Sequence, residues 1–96
     1  MSWASYAIEK LQQGETVTIT PHGNSMLPRI KSGQDVVVSP NSGMLSTDTV
    51  VLVKCKGNVY LHKISAIQGD RYQISNNHGH VNGWVHRNAI YGVAQI

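Results

Sequence analysis

Phenylalanine is absent from this chain, cysteine occurs once, and charged residues make up only 14% of its 96 positions. Each shortage removes a class of protein. The single Cys55 excludes an internal disulfide and a thiolate zinc cage within one chain. No apolar run approaches the ~18 residues needed to span a bilayer, and residues 1–6 lack the basic and apolar regions of a secretory signal. The expected location is therefore the cytoplasm. Eight Lys and Arg against five Asp and Glu give a formal charge of +3, but these cations are scattered. Without a basic block or an arginine-rich arm, nucleic-acid binding gains no motif.

What is present points to strands. With no Phe, the core must come from Val, Ile and Leu with a few Tyr and Trp, and these types suit a pleated surface. The length allows one domain with a single modest core, here residues 1–96, divided into a helical start (1–14) and a β portion (15–96). Trp3, Ala7, Ile8 and Leu11 recur at helical spacing, with Ser2 placed to cap the N-terminus and Gly14 the C-terminus. From Glu15 the pattern changes to β-branched alternation, and residues 16–20 and 36–39 read as strands. Pro40, Asn41, Ser42 and Gly43 form a turn cluster, and 44–47 a loop. The clearest hairpin follows: 49–54, a turn around Lys56-Gly57-Asn58, and a return strand over 59–67. A turn at 68–70, a strand over 71–75, a polar loop over 76–80 and strand-like stretches at 84–85 and 90–94 complete the chain. The expected fold class is all-β in the main: a small coiled sheet or partial barrel with one short N-terminal helix.

One segment carries a chemical pattern. Gly23-Asn24-Ser25-Met26-Leu27-Pro28, then Ile30 and Gly33-Gln34-Asp35-Val36-Val37-Val38, sets a serine in a glycine-led, proline-closed turn that enters a strand. A serine hydroxyl needs a nearby base to become a nucleophile. Leu61-His62-Lys63-Ile64, on the return strand of the hairpin, offers two candidate bases. Strand alternation sends His62 and Lys63 to opposite faces, so only one of them can serve Ser25. A histidine is largely neutral at pH 7 and accepts a proton without help, whereas a lysine must first be desolvated. The Ser25 amide is the natural oxyanion donor and Asn24 a second.

These motifs, in this order, resemble those of the signal peptidase and LexA-like serine peptidase superfamily, over residues 16–96. The family's nucleophile motif reads Gly-x-Ser-Met-x-Pro before an aliphatic residue and a Gly-Asp-Val-like strand start; here Gln34 is inserted between Gly33 and Asp35. The family aligns its base with the first residue of the pair that Leu61-His62-Lys63-Ile64 matches. That alignment implies His62 as base, 37 residues after Ser25, with Lys63 the alternative. Ile90-Tyr91-Gly92-Val93 is similar to the family's closing strand. Histidine-type members usually add an aspartate in a Gly-Asp-Asn segment, where this chain has Ser75-Asn76-Asn77. Asn76 or Asn77 would then orient the imidazole through an amide oxygen, as in Cys-His-Asn proteases.

Other features have plainer explanations. His78, His80 and His86 lie in or beside a Gly- and Asn-rich loop without a carboxylate, so no metal is expected, and no cofactor motif is present. Trp3 and Trp84 suit core or interface positions and Cys55 a small strand position. The N-terminal helix suits a domain cap or a homodimer contact. Two functional expectations result. The first is a serine endopeptidase that uses Ser25 and His62 on a protein or peptide substrate, in trans or on itself. The second is a weakly active or inactive binding module on the same fold, of the phage or mobile-element accessory kind, which holds a peptide, regulator or small ligand in the groove.

Overall fold

The computed structural model describes residues 3–23, 26–40, 43 and 45–95. It contains helix α1 (Trp3–Gln12) and strands β1 (Val17–Ile19), β2 (Val36–Pro40), β3 (Val50–Cys55), β4 (Asn58–Gln68), β5 (Arg71–Ser75), β6 (Val81–His86) and β7 (Ile90–Gln95). The strands form one antiparallel sheet in the order β1-β2-β7-β3-β4-β5-β6. This is the mainly β architecture with one short helix that the composition and turn spacing predict.

The coiling of the sheet follows from β3, whose Val50, Val51, Leu52 and Val53 are all at most 1% exposed. Successive side chains on a strand point to opposite faces, so both faces of β3 must be covered. Val50 and Leu52 join one cluster with Ala7, Leu11, Ile19 and Val38. Val51 and Val53 join a second with Ile64, Tyr72, Ile74 and Ile90. Helix α1 supplies the cover on the first side and the curled β4–β6 segment on the second. The helix closes at Gly14, whose φ of +84° is the left-handed conformation that favours glycine. There the Glu15 amide donates to the Lys10 carbonyl at 3.0 Å.

Strands β3 and β4 are joined by a two-residue turn at Lys56 and Gly57, both with positive φ. That is the turn type whose twist matches a tight hairpin. Ser2, Asn41, Ser42 and Met44, which enter the predicted helix cap and the turn after β2, lie outside the described residues. The last strands differ from the sequence expectation. β6 is six residues long rather than two, and Trp84 on this outermost strand is 44% exposed, which removes the core and leaves the interface of the two positions expected for it. Among the described residues, no helix is long and apolar enough to cross a membrane.

Gly92 on β7 sits where the sheet is tightest. A Cβ there would lie 2.6 Å from the Ser39 carbonyl oxygen and 2.7 Å from Val38 Cγ1, and backbone cannot yield as a side-chain tip can. Gly92→Ala is therefore expected to destabilise the protein by about 2 kcal/mol, the range for overpacking a filled core. A lowered urea midpoint measures it, and an unchanged midpoint contradicts the packing.

Candidate functional site

Strand β4 is shared unequally between its neighbours. Residues 58–63 pair with β3, whereas pairing with β5 begins only at Lys63. Residues 58–62 therefore present one edge without a strand partner among the described residues. That edge borders a cleft of about 400 Å³ that segment 20–23 also lines. Met26, Ile30 and Leu61 bring apolar surface to it and His62 also lines it. Asn24 and Ser25, predicted as oxyanion donor and nucleophile, lie outside the described residues. Gly23 and Met26, the residues on either side of them, both line the cleft.

The turn that follows is anchored from several directions. The Ile30 amide donates to the Met26 carbonyl at 3.0 Å, and Met26 and Ile30 are buried in the first core cluster. Asn77 Nδ2 donates to the Leu27 carbonyl at 3.0 Å. Arg29 donates to the Asp48 carbonyl at 2.9 Å and lies 3.6 Å from its carboxylate. These contacts hold residues 26–30 against β4 and the β5–β6 turn.

His62 is 6% exposed, a low figure for an ionisable side chain. Its ring stacks on Tyr60, two residues earlier on the same face, with centroids 4.7 Å apart and planes 19° apart. Its Nδ1 lies 2.7 Å from Asn82 Oδ1. An amide oxygen only accepts, so Nδ1 carries the proton and the neutral ring keeps its lone pair on Nε2. Burial, the largest influence, holds the His62 pKa below the usual value of 6.5. The Asn82 bond acts in the opposite direction, and the nearby His80 adds to the lowering. At neutral pH the ring is therefore uncharged and able to accept a proton.

Asn82 reaches this position because of an irregularity in β6. Ile74 pairs with Gly83 and Ser75 with Val81, so Asn82 is the extra residue between them. Such a bulge bends a strand and re-aims its side chains. Gly83 has φ +150°, and a Cβ there would lie 3.2 Å from both Cys55 Sγ and Lys56 Cε. No sequence motif marks Asn82. The available signal was Gly83 directly before the strand-like stretch 84–85, since a glycine in a strand suggests a bulge.

The other sequence candidates are placed elsewhere. The predicted orienting residues Asn76 and Asn77 make different contacts. Asn76 Oδ1 accepts from the amides of His78 and His80 at 2.8 and 3.0 Å, bracing the β5–β6 turn, and the Asn77 side chain binds the Leu27 carbonyl. Lys63 lies 4.0 Å from Asp48 on the far side of the strand from His62. Asp35 accepts from Thr20 Oγ1 at 2.8 Å. Among the described residues, no three His, Cys, Asp or Glu side chains converge on a metal position.

The burial of His62 gives a signed expectation. Its lowered folded-state pKa means that stability from this residue is present above about 6.5 and is lost as pH falls through the folded value. In an NMR titration His62 should titrate below 6.5, and Asn82→Ala should lower it further by removing the acceptor for Nδ1–H. A midpoint above 6.5 in the unmutated protein would contradict the buried neutral imidazole.

The family model described as Peptidase S24-like matches residues 2–93. No curated protein and no solved structure matches the chain. With the match covering nearly the whole sequence, this chain belongs to the S24-like peptidase family.

Proposed function

We propose that the protein is a serine endopeptidase in which Ser25 is the nucleophile and His62 the general base. The observation that carries this reading is the buried imidazole, its Nδ1 held by Asn82 Oδ1, in the cleft that residues 23 and 26 also line. An extended peptide fits between segment 20–23 and the open edge of β4 by strand addition, with main-chain hydrogen bonds supplying register. Ser25 Oγ attacks the scissile carbonyl carbon as His62 Nε2 takes its proton. The resulting oxyanion is bound by the Ser25 amide, with Asn24 as a second donor. Collapse breaks the peptide C–N bond, and His62 returns the proton to the leaving amine. Water then repeats the sequence on the acyl-enzyme.

Asn82 takes the orienting role in this scheme. Its amide fixes the tautomer but stabilises the imidazolium less than a carboxylate would, so catalysis is slow relative to an acid-assisted triad. Lys63 does not serve as base, because it lies on the opposite face beside Asp48.

An activated fluorophosphonate measures the chemistry without a known substrate. Labelling at Ser25 should be lost in Ser25→Ala and fall by about 10²- to 10⁴-fold in His62→Ala, the usual contribution of a positioned base. In the unmutated protein the rate should rise through a midpoint below 6.5, matching the His62 titration. Equal labelling of His62→Ala and the unmutated protein would remove His62 from the mechanism. Absence of labelling in all three would mean that the cleft holds a strand without cutting it.

A further inference from the structure

We propose that the cleft selects a peptide strand bearing an acidic side chain next to an apolar one, with Lys31 as the residue that reads the acid. This rests on the reading of the same cleft as a peptide site. The apolar part is given by Met26, Ile30 and Leu61, each at most 6% exposed and each lining the cleft. Their surface takes an aliphatic side chain from a strand laid along β4.

One cation borders this apolar floor. Lys31 lines the cleft, and no carboxylate lines it among the described residues. The neighbouring acids are already engaged. Asp35 accepts from Thr20, and Asp48 is shared by Arg29 and Lys63. That sharing takes two further cations of this region out of play. Lys31 is different: its exposed side chain pairs with no carboxylate among the described residues, while its backbone is fixed. The Lys31 amide donates to Gln34 Oε1 and its carbonyl accepts from the Gln34 amide, both at 3.0 Å. A cation on an anchored backbone directly after Ile30 is therefore presented at the end of the apolar floor. A substrate carboxylate meets it at little ordering cost to the main chain, and a lysine or arginine at that substrate position meets like charge.

Binding is read separately from cleavage. The probes are fluorescein-labelled, Val- and Ala-rich octapeptides in which one Glu is scanned through the central positions, each with its Gln counterpart. Anisotropy with Ser25→Ala at low salt should show one Glu position bound about threefold to fivefold tighter than Gln, the size of a solvent-screened ion pair. The preference should shrink in 0.5 M salt, disappear in a Ser25→Ala, Lys31→Gln double variant, and reverse towards Lys-bearing peptides with Lys31→Glu. Equal binding of Glu and Gln peptides, binding of neither, or a preference that survives Lys31→Gln overturns the assignment. Cleavage by the unmutated protein then judges the catalytic reading on its own. A Glu preference with no cleavage leaves acidic recognition standing and removes the peptidase, whereas cleavage without a charge preference does the reverse.

Discussion

Water is kept from both faces of β3, and its neighbours are arranged to sustain that double burial. A strand with Val50 and Leu52 on one side and Val51 and Val53 on the other cannot belong to a flat sheet with a solvated face. One side is closed by α1 with β1 and β2, the other by the sheet curling through β4, β5 and β6. Since β4 pairs with β3 along 58–63, its position follows directly from that of β3. His62 stands opposite Val51 in this register, which places an ionisable ring beside the driest part of the molecule.

That placement would be costly for a charged group and is tolerable for a neutral one. Both the stack on Tyr60 and the Asn82 amide suit an uncharged imidazole with a defined tautomer. A carboxylate in the place of Asn82 would favour the protonated ring and raise its pKa. With an amide, the lone pair on Nε2 persists to lower pH, but the imidazolium formed during proton transfer is supported less. The asparagine therefore extends the pH range over which the base is ready and weakens its assistance at the moment of transfer.

Much of this architecture was legible in the sequence because it rests on local rules. Alternation in 16–20 and 59–67, the Lys56-Gly57 turn and the apolar spacing of Ala7, Ile8 and Leu11 each specify their element without reference to the rest of the chain. The opposite facing of His62 and Lys63 follows from the two-residue strand period. The imidazole's partner was not legible, because it depends on a bulge twenty residues away, and a one-residue irregularity changes which side chain faces inward without disturbing the hydrophobic pattern. Asn76 and Asn77 fit the expected place along the chain, but their side chains brace turns. The choice between core and interface for Trp84 stayed open for a related reason: a large aromatic residue is buried only when another layer exists above its strand, and layering is a global property.

The unequal sharing of β4 also divides that strand kinetically. From Lys63 onward the ladder is with β5 instead, so the two halves of β4 are paired along opposite edges and overlap only around Lys63 and Ile64. Residues 58–62 have a single ladder among the described residues, so amides directed at the cleft exchange their hydrogens with solvent without any unfolding event. One continuous strand thus turns its unladdered amides towards the cleft as far as His62 and towards the opposite edge beyond Ile64. Hydrogen exchange on this short stretch provides a label-free indicator of occupancy, because an added strand would protect the cleft-directed amides of 58–62 and leave the rest of the strand as it was.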